Sequence, residues 1–181
     1  QNRQKNQKKK ISHAHTNNSF NTPIIQFEDL SQLQNDIVVI SGGKGSHIYE
    51  YLRRDNIDEA NKKIEVFRKA FDEDFLLEVQ KTNRIDEFDY FKNVIPLSIE
   101  KGIPVIATND ILFSSKDDYE IHETKVCINT GKTLNDPNRE KYFSDEQYFK
   151  SPKEMIGLFK YFSCLVDNTN EVAKKCNVSL K

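Results

Sequence analysis

Three short apolar runs constrain this chain most: IVVI at 37–40, FLLEV at 75–79 and IPVIA at 103–107. A run that is apolar at successive positions, not at every second one, suits a strand covered on both faces, as in a parallel sheet. Between the runs the period changes from two to three and four. Ile57, Ala60, Ile64, Phe67 and Phe71 share one helical face, and Phe88, Phe91 and Ile95 start another. Strand, helix, strand, helix, strand is the βαβ pattern of a parallel sheet or an α/β barrel.

The punctuation supports this reading. Ser41-Gly42-Gly43 ends the first run, and Gly102 closes the second helix just before the third strand. Pro96 lies inside that helix and predicts a kink or break, because it removes one hydrogen bond and crowds the Lys92 carbonyl. Upstream, residues 1–10 read as a basic, solvated or frayed end, or as a phosphate-contacting strip. Residues 11–22 read as a brief helix at most, followed by a turn near Pro23, and residues 27–33 read as a short helix. Beyond Asp110 the pattern is helical, with capping signatures at Ser115/Asp118, Ser144/Gln147 and Ser151-Pro152-Lys153-Glu154. The last two helical faces carry Met155, Phe159 and Phe162, then Val172 and Cys176.

The 181 residues suffice for one domain. Lys+Arg (27) and Asp+Glu (28) nearly cancel to a net charge of -1, which excludes a strong whole-domain basic field for nucleic acid. Twelve Phe and seven Tyr supply large core side chains to an otherwise polar chain. No apolar run approaches the ~20 residues of a membrane helix. Cys127, Cys164 and Cys176 are odd in number and lack CxxC spacing, as expected of reduced thiols in the cytoplasm. With Gln1 first and the one Met at 155, the sequence reads as a piece of a longer protein.

Three places could carry chemistry. Asp110 follows the third strand, at the edge where α/β proteins place active sites, and reads either as a metal ligand or as a turn residue. His13 and His15 could share a metal on a strand, or form a surface pair on a short helix or turn. The loop 41–46 (SGGKGS) follows a strand as a phosphate loop does, but lacks GxxxxGK[ST] spacing. A tight glycine turn is the plainer reading there.

Several segments together resemble a known family. GIPVIATND at 102–110, DYEIHE at 118–123 and CINTGKTLNDP at 127–137 occur in order, preceded by LEVQKTNRIDE at 77–87 and followed by YFKSPKEM at 148–155 and NTNEVAKKCNV at 168–178. They are similar to the later part of the polymerase-and-histidinol-phosphatase (PHP) domain of bacterial replicative DNA polymerase III alpha subunits. The stretch from Asn6 through His13 and His15 to Pro23 resembles a mid-domain motif of that family, not its opening HxH motif.

The resemblance implies an α/β fold: the second half of an irregular (β/α)7 barrel over residues 1–114, then a helical extension over 115–181 leading toward a polymerase palm. It implies a segment of a DNA-directed DNA polymerase, with no catalytic residue and no bound cofactor of its own. The Mg²⁺ of nucleotidyl transfer would lie elsewhere in the parent protein. Asp110 is the one remnant metal ligand expected in this half. Leu112 stands where metal-binding members carry His, and Gly43 where they carry Cys. The degenerate pattern resembles the enterobacterial type, in which the domain acts as a scaffold for the polymerase and its proofreading exonuclease subunit. Other replicase subunits and DNA would be reached through the parent protein. A metal-dependent phosphoesterase of the same superfamily is the alternative; Leu112, Gly43 and the region 132–150 argue against it.

Overall fold

The computed structural model describes residues 15–16 and 23–177. The basic stretch 1–10 and His13 lie outside the described residues. At the centre is a three-stranded parallel sheet in sequence order, made of β3 (Val39–Ile40), β4 (Phe75–Gln80) and β5 (Val105–Thr108). Val39 lies opposite Phe75, Leu77 opposite Val105 and Gln80 opposite Thr108. The expected α/β class and parallel sheet are therefore present.

Strand β4 is the axis. Phe75, Leu76, Leu77 and Val79 are all buried, as are Val105, Ile106 and Ala107 on β5. β3 departs from expectation. The 37–40 run was expected to be buried on both faces, but only Val39 and Ile40 pair, Val39 is half-buried and Ile40 is 39% exposed. The reason is position: among the described residues β3 has a neighbour on one side only. β5 also has one strand neighbour, but a helix covers its free edge. The Asn168 amide donates to the Val105 carbonyl at 2.8 Å. The Thr169 hydroxyl donates to the Ala107 carbonyl at 2.9 Å and lies 3.1 Å from the Ala107 N–H. Side chains thus satisfy backbone groups that a further strand would otherwise take.

Short α1 (Phe27–Ser31) and α2 (His47–Leu52) precede α3 (Ile57–Phe71) and α4 (Glu87–Lys101). α3 buries the face its spacing predicts. Ala60 and Ile64 are fully covered, and Phe67 stacks on Phe75 with ring centroids 5.5 Å apart. α4 is rotated from the expected face: Tyr90, Val94 and Leu97 are buried, the expected Phe91 and Ile95 pack partly buried at the margin of the core, and only Phe88 turns out, 81% exposed. Nor does Pro96 break it. The helix runs through to Lys101, because Pro96 and Lys92 both lie on the exposed side, where water can reach the freed carbonyl. Gly102 then closes it at φ 63°, a left-handed conformation that favours glycine.

Past β5, the Ser115/Asp118 box opens a short turn into α5 (Tyr119–Thr130). An extended stretch leads to α6 (Pro152–Leu158), opened by the Ser151/Glu154 box, and then to α7 (Ser163–Lys175). α7 carries Asn168 and Thr169 and so packs back on β5. The Ser144/Gln147 signature opens no helix. Gln147 turns its amide toward the sheet edge, and residues 144–150 stay extended or turned. A buried ion pair, Arg139 with Glu123, ties the segment that leaves α5 back to that helix.

Further upstream, β1 (His15–Thr16) pairs antiparallel with β2 (Pro23–Ile24). The brief helix expected over 11–22 is therefore corrected where it is described: His15 and Thr16 lie in extended, paired backbone. All three cysteines are free, as expected. No helix among the described residues is long and apolar enough to cross a membrane.

The α4 phase gives a direct contrast with α3. Ile64→Ala should cost about 2–5 kcal/mol and lower Tm by roughly 4–20 °C, while Phe88→Ala should stay within about 0.5 kcal/mol. Thermal melts of both variants check this; equal losses would contradict the assigned face.

Candidate functional site

Because the strands are parallel, their carboxyl ends meet at one edge. The segments leaving that edge are Ser41-Gly42-Gly43, Lys81-Thr82-Asn83-Arg84 and Asn109-Asp110. At its centre is the Arg84 guanidinium, whose side chain is 7% exposed. Nη1 donates to Asp110 Oδ2 at 2.8 Å and Nη2 to Gln80 Oε1 at 2.6 Å. Nε donates to Thr82 Oγ1 at 2.8 Å, with Glu87 Oε1 at 3.4 Å. A planar, permanently charged fork suits this task, since its donors diverge toward fixed acceptors.

The acceptors are themselves held. Gln80 Nε2 donates to Glu78 Oε1 at 2.9 Å, and the Thr108 hydroxyl donates to the same oxygen. Glu87 Oε2 accepts the Thr82 N–H at 2.8 Å. Gly43 bears on this packing. A Cβ there would lie 2.3 Å from Gln80 Nε2, so the Gln80 amide occupies the space a side chain at 43 would need.

Residues 144–150 strap across the edge. Gln147 is fully buried; its Nε2 donates to Asp110 Oδ2 at 2.9 Å, and its Oε1 accepts the Ser144 N–H at 2.9 Å. The Ser144 hydroxyl donates to the Thr82 carbonyl. Asn109 Nδ2 donates to the carbonyls of Glu146 at 3.1 Å and Tyr148 at 2.7 Å. Leu112 N–H donates to the Gln147 carbonyl at 2.9 Å, which fixes the β5 exit against the strap. The Lys116 hydrogen bond holds the Glu146 carboxyl below its usual range, and Lys150 adds to this against the effect of burial.

Tyr49 and Tyr90 stack behind the site with centroids 4.5 Å apart. Burial, with Glu87 adding to it, pushes the Tyr49 hydroxyl up to about 12. Burial also raises Tyr90, whose hydroxyl donates to the Glu78 carbonyl at 2.7 Å.

These residues do not fit a metal ion. Asp110 is a single carboxylate, and its Oδ2 already accepts from Arg84 and Gln147. Leu112 offers no donor atom, and a guanidinium lies 2.8 Å from the would-be ligand. Among the described residues no group of three His, Cys, Asp or Glu side chains could hold a metal. The loop 41–46 is a turn: Gly42 and Gly45 take φ 79° and 96°, and the Ser46 hydroxyl caps α2 by accepting the Tyr49 N–H at 3.2 Å. His13 lies outside the described residues, and His15 lies in β1, away from the three-stranded sheet in pairing. Sequence reasoning placed Asp110 at this edge, gave no role to Arg84, Gln80 or Glu87, and read Gln147 as part of a helix cap. The one available signal was that Arg84 and Asp110 both leave the same sheet edge, four residues past the end of β4 and two past the end of β5.

The fold is an α/β unit with its polar cluster at the carboxyl edge of a parallel sheet, and the PHP domain family matches residues 2–82. The wider likeness is to DNA polymerase III alpha subunits. The chain is 33% identical over 171 residues to that of Pasteurella multocida, covering 94% of this chain and 15% of the relative. It is 35% identical over 159 residues to that of Escherichia coli K12, covering 88% and 14%. It is 35% identical over 158 residues to that of Pseudomonas fluorescens, covering 87% and 14%. The chain thus belongs to this family as one segment, spanning about one seventh of the length of the relatives it matches.

Two outcomes follow from the packing. Gly43→Ala forces Gln80 off Arg84 and Glu78, and should cost about 1–3 kcal/mol. Adding Gln80→Ala should make the Gly43→Ala change itself nearly neutral, which a double-mutant cycle of thermal melts would read. In alkali, an unfolded tyrosine ionises near ~10 whereas folded Tyr49 stays neutral to about 12. The contribution of this shift is fully present below ~10 and is lost as pH rises through the folded value. Tm should therefore fall between pH ~10 and ~12, less steeply in Tyr49→Phe.

Proposed function

We propose that this chain is a segment of the catalytic alpha subunit of a bacterial replicative DNA polymerase III, and that it supports template-directed DNA synthesis without performing it. The observation that carries this reading is colinear similarity over 87–94% of the chain to proteins of that name. Residues 1–114 form the later half of an irregular (β/α)7 PHP barrel in this reading, and 115–181 a helical extension. Nucleotidyl transfer requires paired carboxylates that hold Mg²⁺. At this sheet edge Asp110 is neutralised by Arg84, so the Mg²⁺ site belongs elsewhere in the parent protein. The segment then serves as a scaffold for the polymerase and for the proofreading exonuclease subunit, in a cytoplasmic replicase that reaches DNA through its other parts.

The alternative, a metal-dependent phosphoesterase, needs free ligands at the carboxyl edge. Arg84 on Asp110 and leucine at 112 weigh against it.

Two measurements test the proposal. The protein encoded by the natural gene should extend a primed template with Mg²⁺, and the 181-residue chain should incorporate no nucleotide. A full-length product without polymerase activity, or an active chain, would contradict it. Calorimetry with Mn²⁺ or Zn²⁺ should detect no stoichiometric site of micromolar affinity on the chain. Such a site, abolished by Asp110→Ala, would favour the phosphoesterase.

A further inference from the structure

We propose that the Arg84 guanidinium is a resident cation, built into the chain at the focus of the carboxyl edge, that does the cross-linking a bound metal ion would do there. Its donors reach three separate segments: the end of β4 through Gln80 and Thr82, the exit of β5 through Asp110, and the first turn of α4 through Glu87. Two of the four acceptors are carboxylates. Glu87 is a nearly buried one, with a 10% exposed side chain. Asp110, the other, is 38% exposed. Carboxylates that converge from different elements repel one another unless a cation lies between them, and the nearly buried Glu87 needs one most. Here that cation is covalently part of the protein.

Glycine at 43 belongs to the same device. It leaves room for the Gln80 amide, which orients Nη2 from one side. The buried Gln147 amide meets Asp110 Oδ2 from the strap side. Gly43, Gln80 and Arg84 are therefore packed as a unit, and any side chain placed at 43 alone would collide with the Gln80 amide. An arginine cannot be removed by chelators and keeps its charge across physiological pH. The sheet edge should hold together without any divalent ion.

The test is chemical rescue in the full chain. Arg84→Ala should lower Tm by about 6 °C or more. Guanidinium chloride at about 10 mM, far too dilute to denature, should restore at least half of that loss, while equimolar NaCl should not. The Arg84→Ala/Asp110→Asn double variant should show no rescue, and EDTA should leave the parent Tm unchanged. An Arg84→Ala variant that melts like the parent would overturn the proposal, as would guanidinium giving no more than NaCl. Should Arg84→Ala not fold, Arg84→Lys and Asp110→Asn supply a double-mutant cycle. Tm losses that fail to add support the cross-link, and additive losses contradict it.

Discussion

Everything described here hangs on the parallel pairing of β4 with a strand on either side. Its four buried side chains fill the space between the flanking helices, and its direction brings the exits of β3, β4 and β5 to one edge. A parallel ladder needs crossover connections, and α3 and α4 supply them. β5 would be an open edge, but α7 returns to it and spends Asn168 and Thr169 on its backbone groups. The last helix is therefore part of the sheet's hydrogen bonding as well as of the core.

The edge that this pairing creates is charged, and its charges are paired within the protein. In an α/β enzyme the same place would hold free donors and acceptors facing a cleft. Here Asp110, Glu78 and Glu87 each accept from side chains of their own protein, and the strap at 144–150 lies across the opening. Binding energy at this position goes into holding three strand ends and a loop together. The chain is one segment of a family whose members are about seven times its length.

Much of the fold was legible because it rests on periodicity. The face of α3, the strands at 75 and 105, the glycine stop at 102 and the capping boxes at 115 and 151 follow from residue type and spacing. Errors came where tertiary context chose between locally equal options. In α4 both Phe88 and Tyr90 could face inward, and the Tyr90 bond to the Glu78 carbonyl selects the second. Ser144 and Gln147 do bond each other, yet Gln147 is drawn to Asp110 and no helix starts. The position of the site was legible from the strand ends. Its content was not, because Arg84, Gln80 and Gln147 meet only after the strands are in register.

The central claim is that a guanidinium, not a metal, occupies the carboxyl edge. Diffraction from crystals soaked in Zn²⁺ at its absorption edge tests it most directly. The account predicts no anomalous peak near Asp110, with clear density for Arg84 between Asp110 and Gln80. A peak within about 2.0–2.2 Å of an Asp110 oxygen, at normal zinc–oxygen distance, with Arg84 displaced, would contradict it.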